Sequence, residues 1–472
     1  FKVAEMIMDR TESGLGWRID AAKDIASIDA VRSGAESMTS AWNKVTDFWK
    51  RYNETVLSEN SHAYTTAEIT DLADLFANEN SVEYTSDADA EQKFEQETGI
   101  IAVANYNYLF SLIPDLFAPL RLEDFDDNNG WQAREEMNKN LLNKMDEGWG
   151  ENPGFLFQSP KDGVTNSYTF VGNHDKQRIL HALSLDMALY TSDFSSDEAK
   201  EAAAKVLNKD ESSIDFDKVS SKAIAMGSRL DTAFDAVLPE NSALKSEINK
   251  AVSEIASGSF KGKEFDAEAF GTRPLDIAIR SVMDQVEYNG VKIPNREDLE
   301  AKTLQNILTP AFDRYFSIYK LLTVLPGSPT DFAGDKVGVT GAESKAKNYH
   351  QQNRNIIPWE WLDGDSSNRY GFVKKQYETL NDIANLRNRP ELSALNDGDT
   401  VTVPIMEKNA KTDEVERNLR LQGMIRYNDK GSVLLILTDS RGANAPLTEK
   451  MDRTNGQKIT RLYLDPSITN AK

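Results

Sequence analysis

The chain has 472 residues, no cysteine and a formal net charge of −22. This length allows one large domain with one or two smaller ones. The lack of cysteine excludes disulfides, zinc–thiolate sites and a cysteine nucleophile. The acidic charge argues against nucleic acid or an anionic membrane as a partner, because both attract basic surfaces. No apolar stretch reaches the roughly 18 residues of a membrane-spanning helix, so we expect no membrane span.

In the first part of the chain, short apolar runs alternate with helical patterns, which is typical of a parallel α/β architecture. Strand-like runs begin at Trp17 and cover Ala63–Ala67 and Tyr168–Val171, whereas helical patterns cover Ser37–Tyr52 and Ile179–Tyr190. Residues 123–167 are rich in Asn, Asp and Gly. They are predicted to form a long loop region.

From Ser195 to about Leu322, strong amphipathic patterns predict a block of helices, the last of them broken by Pro310. A final helix is predicted over Phe372–Arg387. It leads to a tail in which VTVPI, LRLQGMIRY and SVLLILTD are strand-like. The tail therefore predicts a small β domain.

The octapeptide GWRIDAAK places Asp20 at the end of a short strand, two residues after Arg18. Alternation along the strand puts the two side chains on one face, where the cation would hold the pKa of Asp20 low. A permanently ionised, oriented carboxylate is what a glycosyl nucleophile requires. A buried Arg–Asp pair that only supports the fold explains the same residues.

A second polar cluster follows the strand-like run at Phe170 in FVGNHDKQR. Asn173, His174 and Asp175 at a strand end supply donors and a carboxylate that suit sugar hydroxyls. A loop held by Asn and Asp capping bonds is the alternative, and isolated Asn-His-Asp triplets are usually of that kind.

The run TTAEI ends a third strand with Glu68, a candidate general acid if burial raises its pKa. Glu59 and Glu54 compete with it for this role. The segment LPGSPTDFAGDK resembles a turn-rich strand end and carries no chemistry by itself.

Taken together and in this order, the four segments resemble the α-amylase family of retaining α-glucan enzymes. GWRIDAAK is similar to that family's nucleophile strand, TTAEI to its acid/base segment and FVGNHD to its transition-state stabiliser. PGSPTDFAGDK, with the Asn353-Arg354 and Ile357-Pro358-Trp359 sequences after it, is similar to the last barrel strand and its loop. The likeness covers most of 10–195 and 318–395.

The resemblance implies an α/β fold, a (β/α)8 TIM barrel of which strands four to eight lie in this chain, with a helical insertion and a C-terminal β-sandwich domain. The predicted division is 1–194 for the first part of the barrel, 195–320 for the helical insertion, 321–395 for the last part of the barrel and 396–472 for the β domain. A packing or docking role for the insertion is favoured over a dedicated glucan-binding role.

By the same resemblance, Asp20 is the nucleophile, Glu68 the acid/base and Asp175 the stabiliser. The substrate-binding residues that it implies are Arg18, Lys23, Asn173, His174 and Arg178. The function implied is a retaining glycoside hydrolase acting on starch or maltooligosaccharides, and Ala21 favours α-1,4 links. An α-glucanotransferase with the same site, or a non-catalytic glucan-binding relative, is the alternative.

A structural calcium ion is the only cofactor that the resemblance suggests, and Asp24 stands where α-amylases often have a His that helps to hold it. No organic cofactor is expected. The earlier Asp-x-x-x-Asn-His segment of the family is missing, so we expect an N-terminal piece of the same polypeptide to complete the barrel. An extracellular or cell-surface location in a bacterium fits the lack of cysteine, and a cytoplasmic one fits it too.

Overall fold

The computed structural model describes residues 7–11, 14–20, 38–68, 94–105, 167–174, 177–186, 189–190, 194, 197–216, 219–239, 242–346, 351–363, 368–408 and 415–439. In these ranges no helix has both the length and the apolar character needed to cross a membrane, in agreement with the prediction from the sequence.

The strands are β1 (Ile7–Thr11), β2 (Gly14–Asp20), β3 (Thr65–Glu68), β4 (Ala102–Asn105), β5 (Ser167–Thr169), β6 (Ser259–Phe260), β7 (Lys263–Glu264), β8 (Ser328–Pro329), β9 (Asp399–Lys408), β10 (Val415–Tyr427) and β11 (Val433–Asp439). The main helices are α1 (Met38–Glu59), α2 (Ile179–Ser184), α3 (Asp197–Leu207), α4 (Ser221–Val237), α5 (Ala243–Ala256), α6 (Ala267–Gly271), α7 (Leu275–Tyr288), α8 (Arg296–Val324), α9 (Gly371–Ala384) and α10 (Ala394–Asp397).

Strands β2, β3, β4, β5 and β8 form a parallel sheet in the order of the chain. Ala67, Ala102, Val103 and Ala104 are fully buried in it, as expected for parallel strands covered on both faces. Because all five strands run in one direction, their carboxyl ends lie side by side on the same side of the sheet, which we call its carboxyl edge. A closed barrel and a singly wound open sheet share this strand order, so the (β/α)8 barrel stays a prediction.

One edge of this sheet is formed by β1, which pairs antiparallel with β2 through a short connection. No strand was predicted at this position. Residues 7–11 read IMDRT, and the charged pair in this run hides the alternation of a half-buried strand. Strand β1 therefore adds a hairpin to the predicted parallel architecture.

The predicted helical block is confirmed as helices over α3, α4, α5 and α8, to which the structure adds α6 and α7. Two of these helices begin with a side-chain cap, since Ser220 accepts a hydrogen bond from the Ala223 amide and Asp266 one from the Glu268 amide. Their apolar faces share one hydrophobic core with α2 and α9. The block thus packs against α2, the helix that follows β5, and α9, a helix that follows β8.

Helix α8 differs from the prediction at Pro310. Pro310 lies inside this helix of 29 residues and does not end it, although a proline costs one helical hydrogen bond. Packing compensates for the loss, because the flanking Leu308, Ala311 and Phe312 are almost fully buried. The expected domain boundary at residue 320 lies within α8, which ends at Val324, shortly before β8.

Helix α6 packs against α4 at Gly271, where a Cβ atom would lie 2.2 Å from the carbonyl carbon of Lys222. Backbone cannot yield as a side chain does, so Gly271→Ala is expected to lower the free energy of unfolding by about 1–3 kcal/mol. Urea denaturation measures the loss. Gly371→Ala is the matched control, because its Cβ would meet nothing within 4 Å. An equal effect of both variants would contradict the close contact.

The C-terminal tail forms an antiparallel sheet of β9, β10 and β11 in the described residues, with a bulge between Arg417 and Gln422. The three predicted strands are confirmed. The buried Arg426 of β10 donates to the carbonyl oxygens of Val324 and Gly398, which joins this sheet to the end of α8. Residues 440–472 lie outside the described residues, and the β-sandwich stays a prediction.

Candidate active site

The ends of β2 and β3 bring two of the predicted catalytic residues to adjacent positions. Asp20 is the last residue of β2 and Glu68 the last of β3, and they are partners in the parallel register. Arg18 is likewise opposite Thr66. For Asp20, Glu68 and Arg18 the structure describes the backbone. Neighbouring strands lie about 4.8 Å apart, so the two carboxylate-bearing residues stand side by side at the carboxyl edge of the sheet.

The rival acids lie elsewhere. Glu54 and Glu59 are exposed positions of α1, and Glu59 is its last residue. Both side chains therefore face solvent on a helix and do not stand at a strand end. The placement therefore favours Glu68 for the acid/base role.

Helix α1 holds the start of β3 in place through Asn53. The buried Asn53 side chain accepts a hydrogen bond from the Thr65 hydroxyl at 2.8 Å and donates to the carbonyl of Thr98 at 3.3 Å. The Ile101 amide in turn donates to the carbonyl of Thr65 at 3.2 Å. These contacts fix β3 relative to the residues that lead into β4, and so fix the strand that ends in Glu68.

The third predicted segment follows β5 at the same edge. Phe170 and Val171 are buried, and Asn173 and His174 are half-buried. The carbonyl of His174 accepts hydrogen bonds from Asn353 Nδ2 at 2.6 Å and from Arg354 Nε at 3.0 Å. The segment after β8 therefore holds the segment after β5. Asp175, Lys23 and Asp24 lie outside the described residues.

Arg178 has a different environment from the one that the sequence suggested. Its side chain is 2% exposed and forms an ion pair with Asp335 at 2.8 Å. Its guanidinium also donates to the carbonyls of Asn353 and Ala333, both at 2.8 Å, and lies 4.0 Å from the ring centre of Phe332. A buried guanidinium with these contacts is better suited to holding the loops in position than to contacting a sugar directly.

The segment after β8 carries two carboxylates whose roles the sequence did not reveal. Burial raises the pKa of Asp335 to about 7, although the neighbouring Arg178 lowers it. Asp331 accepts hydrogen bonds from the hydroxyls of Tyr315 and Tyr319 and pairs with Lys336 at 2.7 Å. Spacing alone gave no signal for these contacts, because Arg178 and Asp335 are 157 positions apart.

Two large apolar side chains are exposed in the segment that contacts His174. Ile356 is 94% exposed and Trp359 is 56% exposed, whereas Trp361 is buried and stacks on Tyr370 at 4.8 Å. The segment is thus anchored at Asn353 and again at Trp361. An indole held on such an anchored segment gives a flat surface of the kind that sugar rings stack on.

No group of three or more His, Asp or Glu side chains with metal-binding geometry occurs in the described part of the chain. The calcium prediction concerns Asp24 and its surroundings, so it stays a prediction.

The site thus consists of paired strand ends with Asp20 and Glu68, a neighbouring strand end with Asn173 and His174, and a network around Arg178 that ties the last two loops together. Comparison of the chain with protein-family models, with curated proteins and with solved structures found no match.

Proposed function

We propose that this chain carries the catalytic carboxylates of a retaining glycoside hydrolase that cleaves α-1,4-glucosidic links in starch or maltooligosaccharides, on a (β/α)8 barrel. The main support is the register of β2 and β3, which pairs Asp20 with Glu68. A retaining mechanism needs two carboxyl groups about 5–5.5 Å apart. Residues paired on adjacent parallel strands, about 4.8 Å apart, suit that separation.

The reaction is a double displacement. The Asp20 carboxylate attacks C1 of the sugar while Glu68 gives its proton to the glycosidic oxygen. The bond between C1 and the glycosidic oxygen breaks. A β-glycosyl ester on Asp20 results. Glu68 then takes a proton from water, the water oxygen attacks C1, and the ester bond to Asp20 breaks. Two inversions at C1 retain the α configuration. Asp175 and His174 hold hydroxyl groups of the distorted sugar.

The contacts behind the site support this role for the segment after β5. Arg178 binds the carbonyl of Asn353, and Asn353 binds the carbonyl of His174. Two bonds in series therefore fix the backbone next to the proposed stabiliser. Catalytic groups act best when surrounding residues fix their positions to within about 0.5 Å.

The test is to follow the anomeric protons by NMR while the full-length natural polypeptide acts on maltoheptaose. The full-length polypeptide is used because the proposed barrel needs strands beyond those described. Early release of α-anomers supports retention. Early release of β-anomers, or no turnover of any α-glucan, contradicts the proposal. Products longer than the substrate assign the same site to an α-glucanotransferase.

Trp359 gives a prediction about long substrates. Trp359→Ala is expected to raise KM for maltoheptaose about tenfold and to leave the rate on a nitrophenyl α-glucoside nearly unchanged, because loss of one stacked ring costs about 1–2 kcal/mol of binding. Steady-state kinetics on both substrates measure this. Tyr288→Ala, equally exposed but on α7, is the control. Equal KM values in wild type and Trp359→Ala would remove the indole from the substrate path.

A further inference from the structure

A cavity lies in the helical block, and none of the described residues that line it is assigned to catalysis or substrate binding. It is open to solvent on one side, has a volume of about 1300 Å³ and is lined by the end of α2 and by helices α3, α4, α5 and α8. Pro310 lines it from α8.

Arg229 on α4 lines the cavity. Its Nε atom is buried without a hydrogen-bond partner, and the described residues offer the side chain no carboxylate within ion-pair distance. Other arginines of the block are neutralised: Arg280 pairs with Glu300 at 2.7 Å, and Arg296 pairs with Asp284. A partly buried cation without a counter-charge is costly for the fold.

A second guanidinium lies beside the first. Arg314 lines the same cavity from α8, and its NH1 donates to the carbonyl of Leu183 at 3.2 Å. Burial and the charge of Arg314 lower the pKa of Arg229 to about 10, so both side chains are cations at neutral pH. Two arginines brought together against their repulsion are typical of sites that bind an anion.

More cations than carboxylates line the cavity, namely Lys205, Lys209, Arg229, Lys245, Lys250 and Arg314 against Asp186, Asp231, Asp235 and Glu254. Asp235 pairs with Lys245 at 2.9 Å. Burial and the charge of Asp235 raise the pKa of Asp231 to about 8, although Lys205 lowers it. Asp231 is therefore mostly protonated at neutral pH, and its buried Oδ1 has no partner. In a chain of net charge −22, this wall is locally positive.

We propose that this cavity binds a small metabolite carrying a phosphate-type oxyanion, with Arg229 and Arg314 as the anion ligands. The planar guanidinium matches two oxygens of a phosphate group. At about 1300 Å³ the cavity is larger than an oxyanion alone needs and exceeds the roughly 300–1,000 Å³ of typical small-molecule sites, so it has room for a larger body. Ser228, Ser246 and Asn249 line the remainder and suit a hydroxylated body such as that of a sugar phosphate.

The experiment measures binding of inorganic phosphate and of glucose 6-phosphate to the intact chain by calorimetry, at ionic strength held constant with chloride. We expect glucose 6-phosphate to bind more tightly than phosphate. Arg229→Gln is expected to weaken both about 10–100-fold. Arg229→Lys, which keeps the charge, should bind with intermediate affinity. Arg296→Gln is the matched control, because its arginine is already paired with carboxylates outside the cavity.

Circular dichroism confirms that each variant is folded, and Arg314→Gln serves as the second probe if Arg229→Gln is not. Absence of binding by the wild type overturns the site. Equal affinity of the wild type and both glutamine variants overturns the assignment of the ligands. Equal affinity for phosphate and glucose 6-phosphate overturns the proposal that the ligand has a hydroxylated body. None of these outcomes depends on glucan hydrolysis, so the experiment tests the anion site independently of the proposed activity.

Discussion

Replacing Asp20 by Asn is expected to lower kcat for maltoheptaose by about 10⁴-fold or more, because the amide cannot form the glycosyl-enzyme bond. Asn has the shape of Asp, and Asp20 ends a strand paired on both sides, so the fold should persist. The values of kcat and kcat/KM should fall together, since the lost interaction acts in the transition state. Initial rates of reducing-end release over a range of maltoheptaose concentrations measure both.

The control for Asp20→Asn is Asp197→Asn, at a carboxylate of α3 whose side chain is 96% exposed. It should keep the wild-type rate. Asp20→Gly supplied with azide should regain turnover and yield a β-glycosyl azide, because azide takes the place of the missing nucleophile. A purely structural Asp20, paired with Arg18, could not give that product. Retention of more than about a tenth of the wild-type rate in Asp20→Asn would remove the nucleophile role.

The sequence predicted the local elements well where one interaction decides them. The 3.6-residue period of α3, α4 and α5 reflects burial of one helix face, and the three C-terminal strands reflect alternation and turns. The sequence also placed Asp20 and Glu68 at strand ends. Their pairing in register depends on contacts between distant parts of the chain, and short strands carry no signal for it.

The sequence failed where long-range packing overrides a local rule. Pro310 continues α8 because tertiary burial outweighs the lost hydrogen bond. The resemblance suggested that Arg178 binds substrate. Its side chain instead pairs with Asp335, which is distant in sequence and is brought close by the fold. Likewise, nothing in the pattern of α4 distinguishes Arg229 from an arginine paired with a carboxylate. Charge balance in a cavity is a property of several helices at once.

The second large effect concerns Arg178. Arg178→Met is expected to lower the free energy of unfolding by about 3–5 kcal/mol, because it leaves the Asp335 carboxyl, 1% exposed, without its cation. The carbonyls of Asn353 and Ala333 lose their donor as well. Urea denaturation measures the change. Arg369→Met is the control, since that half-exposed side chain pairs with Asp298 and Glu297 at the surface and should matter far less.

The pH dependence of this loss identifies its cause. Burial raises the pKa of Asp335 in the folded state to about 7, above its value in the unfolded chain. Between about pH 4 and pH 7 the folded state therefore binds one proton more than the unfolded state does. The free energy of unfolding falls as the pH rises through this range. Without Arg178 that pKa rises further, so the penalty of Arg178→Met should be nearly constant below about pH 6 and should grow above about pH 7, which makes it larger at pH 8 than at pH 5. When Asp335→Asn is already present, adding Arg178→Met should lower the free energy of unfolding by the same amount at every pH. A penalty of equal size at both pH values in the single variant would mean that lost packing around Phe332, and not the unpaired carboxyl, causes it.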